Sequence, residues 1–397
     1  MTTTNEHPRQ HRPPTTRMPW PALLAMALTG FIVIATETMP AGLLHPISAG
    51  LHTSEGAAGQ LVSAYALGTV IAAVPAILLT QGARRKPLLL IGILGFLVTN
   101  TVTALAPDLA VILIARLVAG AFSGLLWGML AGYARRIVPE ELKGRALAIA
   151  MAGTPVALAI GTPLGSWIGT TVSWRWSFGA MSILAVVALV LAGVVAPNVT
   201  GEPAALRLPL RRVVAIPGVA AILLVVFTWM LAHNIMYTYI SSYLASALLG
   251  LPVDLALVVF GVAALVGIWL TGVVVDRHLR QMTLVSILAF MLAAVILFLG
   301  QHHTVMVVAA LAIWGLAFGG AATQLQTAMG RASGESADVA NALLTVVFNL
   351  AILVAGIGGA LVIGRNTTLL PVVMFALAAL ALVVTAVGRG AAFRRDR

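Results

Sequence analysis

Glu37 is the residue of this chain best suited to do chemistry. It lies inside a long apolar run, whereas the other Asp and Glu residues, 12 acids in all, fall in tails, loops or helix ends. An acid at the centre of a membrane helix costs about 2.5–3.5 kcal/mol on insertion scales, and protonation removes much of that cost. A group that is neutral in one state and charged in another can couple proton movement to a change of shape. The plainer alternative is a structural acid held by a base. Arg116 is the one Lys or Arg inside an apolar run. Each of the two sits about eight residues from the same end of its helix, roughly 10–12 Å deep. Pairing would reduce both desolvation costs. Otherwise Arg116 would bind backbone carbonyls or polar side chains on neighbouring helices.

A second group of polar residues follows at His233, Asn234, Tyr237, Tyr239 and Ser241. His233 and Tyr237 are four residues apart, hence on one helix face, with Asn234 beside them. In lipid such a stripe should face a cavity or make helix-to-helix hydrogen bonds, and His233 could titrate near neutrality. Tyr65, Trp127, Trp314 and Asn349 are further candidates to line a substrate cavity, with Gln324, Gln326, Asn341 and Phe348. Gly161, Gly165 and Gly169 recur every four residues, which lets helices approach closely. His302-His303 has no carboxylates nearby and does not suggest a metal site. No phosphate-binding glycine loop appears in a suitable context.

The elements that must hold these residues are membrane helices. Hydrophobic residues make up 60% of the 397 and charged residues 9%, and mean hydropathy is +1.03. A soluble domain carries roughly 25% charged residues. That excess of apolar surface excludes a soluble enzyme and a nucleic-acid-binding domain, despite a net charge of +11. Cysteine is absent, so disulfides and thiolate metal sites are excluded. A membrane helix needs about 20 apolar residues. Twelve stretches qualify: 19–45, 57–80, 87–106, 109–134, 144–170, 174–196, 213–246, 253–275, 281–300, 304–329, 337–363 and 368–388. With the N-terminus in the cytoplasm, 20 of the 23 Lys and Arg fall inside, against Arg175 and Arg365 outside and Arg116 in a span. This is the positive-inside asymmetry, and it puts both termini in the cytoplasm.

The polar stretch 197–212 divides the spans into six and six. The expected organisation is a cytoplasmic tail (1–18), a six-helix bundle (19–196), a cytoplasmic linker (197–212), a second bundle (213–388) and a cytoplasmic tail (389–397). The halves echo each other weakly, as in Gly120-Ala-Phe-Ser-Gly124 and Gly315-Leu-Ala-Phe-Gly-Gly320. Two similar six-helix halves suit a transporter with its site between them.

Several stretches in this order resemble the major facilitator superfamily, over nearly the whole chain. Thr36-Glu-Thr-Met-Pro-Ala-Gly-Leu-Leu44, Gly59 to Gly68, Arg116-Leu-Val-Ala-Gly120 and Asp338 to Asn349 resemble its drug-proton antiporter branch, which includes sugar, arabinose and purine efflux proteins and chloramphenicol exporters. Gly272-Val-Val-Val-Asp276-Arg277 resembles the second-half copy of the family's cytoplasmic loop motif. The resemblance implies an all-α membrane protein with two pseudo-symmetric six-helix bundles. It implies proton-coupled efflux by alternating access in the cell (inner) membrane, with Glu37 and Arg116 coupling the proton. Asp276, Arg277, Gly161, Pro163 and Gly165 would belong to conformational motifs. The sequence departs from the pattern twice. Thr80 stands where the first-half loop motif carries Asp, and the fifth-span motif reads Gly153-Thr-Pro155 followed by Gly161-Thr-Pro163-Leu-Gly165. The second departure keeps open a proton-coupled importer on the same fold. Expected partners are a small-molecule substrate, protons and the lipid bilayer, with no nucleic acid, metal or cofactor, and the chain is expected to act as a monomer.

Overall fold

The computed structural model describes residues 18–80, 82–200, 210–247, 250–334 and 337–388. Among these the structure is helical, with no strand. The first half contains α1 (Trp20–Thr38), α2 (Leu44–Gly50), α3 (Glu55–Thr80), α4 (Arg85–Leu105), α5 (Leu109–Arg136), α6 (Lys143–Met151), α7 (Gly153–Val156), α8 (Thr162–Ile168) and α9 (Trp174–Val195). The second half contains α10 (Leu210–Val214), α11 (Val219–Thr238), α12 (Ile240–Ser246), α13 (Val253–Leu299), α14 (Thr304–Gly319), α15 (Ala321–Ser333), α16 (Ala337–Ile363) and α17 (Leu370–Val387).

Ten helical stretches among the described residues are long and apolar enough to cross a membrane, against the twelve spans read from the sequence. The difference lies in Glu140–Val195 and Val253–Leu299, 56 and 47 residues long. Each is more than twice the length a crossing requires. The chain breaks its helical path at Ser173, which is extended and caps α9, and at His278, whose φ of −135° is non-helical. Other expected spans are broken by local chemistry. Pro40 converts the end of the first span into a 3-10 turn over Met39–Gly42, because proline cannot continue the helical hydrogen-bond ladder. The left-handed Gly218 separates α10 from α11. Two π-helical turns, Ala157–Gly161 and Gly169–Ser173, flank α8.

Backbone approach is closest where glycines meet carbonyls. A Cβ on Gly120 would strike the carbonyl oxygen of Tyr65, and one on Gly315 would strike that of Phe260. Gly124 meets Ala73 and the carbonyl of Thr69, while Gly319 meets Ala264. The echo in sequence is therefore an echo in packing: α3 against α5 is repeated by the first part of α13 against α14. Leu311 stands four residues before Gly315, as Arg116 does before Gly120, and is fully buried.

Buried apolar side chains form two clusters. One is confined to the first half and draws on Ala22–Val33, Leu89–Phe96, Ala119–Val138, Ala146, Ala150 and Ala185–Ala196. The other fills the second half but also takes in Ala35–Ile47, Ala58, Leu61, Ala104–Ile112 and Trp174–Met181. Those first-half residues gather at the end of the bundle away from the basic loops. The two halves share a core at that end. Large apolar side chains such as Leu79, Val194, Trp269 and Val305 stay exposed on the outer surface, as expected for faces meeting lipid.

Candidate functional site

Glu37 occupies the last turn of α1 and is half-buried. Its neighbours pin that turn from two sides. Thr36 Oγ1 accepts a hydrogen bond from Asn100 Nδ2 at 3.1 Å, and the Thr38 and Thr162 hydroxyls meet at 2.6 Å. One turn earlier the Val33 carbonyl accepts from the Tyr65 hydroxyl at 3.2 Å. Three helices, α3, α4 and α8, thus fix where the carboxylate sits.

Arg116 on α5 is fully buried. Its Nε donates to the Leu61 carbonyl at 3.2 Å. The guanidinium carbon lies 4.7 Å from the centre of the Tyr65 ring and 5.7 Å from that of Phe178, in reach of cation–π attraction. Nη1 and Nη2 have no hydrogen-bond partner among the described residues. Glu37, Tyr65 and Arg116 lie within electrostatic reach of one another. No ion pair of 4.0 Å or less joins Glu37 to Arg116 in this conformation. The base is therefore held by a backbone carbonyl and aromatic faces, with its two terminal nitrogens uncommitted.

Of the second-half candidates, Tyr237 and Trp314 gather around His233. Its ring stacks on Phe318 with centroids 3.6 Å apart and 7° between planes. Tyr237 and Phe260 lie 5.2 and 5.7 Å away. Trp314 donates its indole N–H to His233 Nδ1 at 3.1 Å, so Nδ1 is the unprotonated nitrogen and the proton of the neutral ring is on Nε2. Tyr237 is buried, and Asn234 is half-buried with its amide turned back to the Met230 carbonyl at 2.8 Å. Asn349 on α16 likewise bonds within its own helix, to the Thr345 carbonyl. Trp127 is half-buried and packs on the first-half cluster. Gln324 ties α15 to Ser286 at 3.1 Å and Thr271 at 3.4 Å, which is a helix-to-helix role.

The glycine stripe faces α1 and its extension. Cβ atoms on Gly161, Gly165 and Gly169 would strike Phe31, Met39 and Leu43 respectively. Gly165 also accepts at its carbonyl from the Ser177 hydroxyl at 2.7 Å. Pro163 is buried at the first turn of α8. Asp276 and Arg277 are exposed beside the His278 break. Arg331 Nη2 donates to the backbone carbonyl of Asp276 at 2.7 Å, and Arg85 Nη1 donates to that of Thr80 at 3.4 Å. Both copies of the loop motif thus present a carbonyl to an arginine, which needs no acid at position 80. On the neighbouring basic loop, the Lys143 ammonium bonded to Glu140 holds that carboxyl below the usual range.

Sequence reasoning passed over Phe260 and Phe318, which complete the His233 stack, and Thr38 with Thr162. Single apolar or hydroxyl residues carry no periodic signal among so many others. It also passed over Glu55, which reads as an ordinary acid at the first turn of a helix.

A profile of the Major Facilitator Superfamily matches residues 26–356. The inner membrane transport protein YdhP of Escherichia coli K12 is 31% identical over 373 residues, covering 91% of this chain and 94% of that protein. The transcription regulatory protein OpdE of Pseudomonas aeruginosa is 30% identical over 380 residues, covering 92% and 90%. Helical architecture, repeated glycine packing and these matches agree, and the chain is a member of the Major Facilitator Superfamily, a multi-pass membrane transport family.

Proposed function

We propose that this protein exports a small organic molecule, such as a sugar, nucleoside or drug, in exchange for protons. The observation that carries the reading is Glu37: a half-buried carboxylate, on a turn pinned by three helices, within electrostatic reach of a buried arginine whose terminal nitrogens are uncommitted. Loading and unloading a proton there changes the net charge of a low-dielectric site, and that charge difference is what a transporter needs to favour one arrangement of its halves over the other. The halves would be 19–196 and 213–388, joined by 197–212, rocking about a site near the membrane midplane. The basic loops would face the cytoplasm, with both termini.

Substrate would contact Tyr65, Trp127, His233, Asn234, Tyr237, Trp314 and Asn349. In this conformation Tyr65, Tyr237 and Trp314 are buried, so binding would require the halves to part. The name of OpdE points to regulation, but a protein that only signals has no need of an acid and a base inside the membrane. The test is flux in proteoliposomes with an imposed pH gradient and a panel of sugars, nucleosides and neutral antibiotics. Export predicts substrate and protons moving in opposite directions. Movement in the same direction would favour the importer, and no proton-linked flux of any panel member would overturn the coupling.

A further inference from the structure

At the end where the halves share a core, three of the side-chain hydrogen bonds that cross between them close one seam. Gln60 Nε2 donates to the Gly356 carbonyl and Ser63 Oγ to the Leu353 carbonyl, each at 3.2 Å. The third joins the Ser242 hydroxyl of α12 to the carboxylate of Glu55, the first residue of α3. The other Glu55 oxygen lies 3.2 Å from His45 Nδ1 on α2. Glu55, Gly59 and Ser63 fall at four-residue intervals on one face of α3. Gly59 there leaves room for Tyr239, whose hydroxyl donates to the Gly356 carbonyl at 2.5 Å. A Cβ on Gly356 would strike the Ser63 hydroxyl. The seam is thus closely packed over about two helical turns, and one carboxylate sits at its mouth.

We propose that Glu55 and Ser242 form the latch that holds this end of the transporter closed, with His45 positioning the carboxylate. The two backbone-directed bonds seal the seam but would be made by many polar side chains. The Glu55–Ser242 bond is different in kind. Its acceptor is a carboxyl oxygen, and a hydrogen bond to a carboxylate is roughly twice as strong as a neutral bond. Its donor is buried, so a lost partner is not replaced freely by water. Ser242 belongs to a short helix set off from α11 by the non-helical Tyr239, so pulling on Ser242 moves α12 as a unit. Glu55 is a positioning residue in this account: it touches no substrate and sets which end of the pathway is open.

The proposal rests on the alternating-access part of the proposed function, but its test needs neither a substrate nor a proton gradient. The chain has no cysteine, so single-cysteine reporters need no prior engineering. Asn349→Cys lies two turns along α16 from the Gly356 seal. His52→Cys, exposed beside the mouth, reports which side of the membrane carries this end. An impermeant methanethiosulfonate applied to that side of intact cells or vesicles reads how often the seam opens. Ser242→Ala should raise the labelling rate of Asn349→Cys roughly ten- to 150-fold, the range set by losing one charge-assisted bond. Glu55→Gln, which keeps an acceptor but not the charge, should raise it less. Glu55→Cys with Ser242→Cys, oxidised, should suppress labelling until reductant is added. Unchanged labelling in both single variants, with cross-linking that leaves the reporter open, would overturn the latch. A failure of proton coupling would leave all these readings intact, which separates the two ideas.

Discussion

The Arg116 guanidinium lies over the face of Tyr65, 4.7 Å from the ring centre, and is tied through Nε to the carbonyl of Leu61. The base of the proposed coupling site is therefore anchored to α3, not to the acid on α1. Arg116→Lys keeps the charge but loses the planar stack and the directed Nε bond. It should cost about 0.5–2 kcal/mol, read as a lower melting temperature of the purified protein, and only partly support transport. Full activity and stability in the lysine variant would mean that charge alone matters there.

Glu37→Gln keeps shape and hydrogen bonding but cannot titrate. It should abolish proton-driven accumulation and leave substrate counterflow in place. A variant that still accumulates substrate against a gradient would move the coupling role elsewhere.

Combining Glu37→Gln with Arg116→Ala tests their link directly. Because the two interact through space in a low-dielectric interior, the double variant should lose less stability than the sum of the single losses. Strict additivity, in one detergent at one pH, would mean they do not communicate.

Trp314→Phe removes the donor to His233 Nδ1 and keeps most of the ring packing. Leaving that buried acceptor unmatched should cost about 1–3 kcal/mol. His233→Ala on the same background should then cost less than it does alone.

The repeated glycine contacts make a paired prediction. Gly120→Ala and Gly315→Ala each drive a methyl group into a facing carbonyl and should destabilise by about 1–3 kcal/mol. Gly132→Ala, with nothing near its Cβ position, should be neutral or stabilise by up to about 1 kcal/mol. Thermal unfolding of the three variants checks this.

Much of this was legible in the sequence because lipid imposes simple rules. Length and apolarity mark the spans, and a lone acid or base within them stands out, as Glu37 and Arg116 did. What stayed illegible is orientation about each helix axis. Gln324 and Asn349 have equal claims as cavity residues from type alone, yet Gln324 bridges Ser286 and Thr271 while Asn349 bonds its own helix. Helix faces blur when nearly every position is apolar, so the His233 stack with Phe318 could not be read from spacing. The breaks at Ser173 and His278, by contrast, fall between spans that the sequence already separated, 144–170 from 174–196 and 253–275 from 281–300.

The glycine notches on α8 and its flanking turns have a mechanical consequence. Phe31, Met39 and Leu43 sit in successive notches left by Gly161, Gly165 and Gly169, like teeth in a rack. Sliding α1 along α8 would require a jump of a whole tooth, about 6 Å for four residues of helix. Short of such a jump the two travel as one lever arm. Any displacement of Glu37 relative to the far bundle is then set by the swing of that arm, and a stiffer or looser rack would retune the stroke without touching the acid.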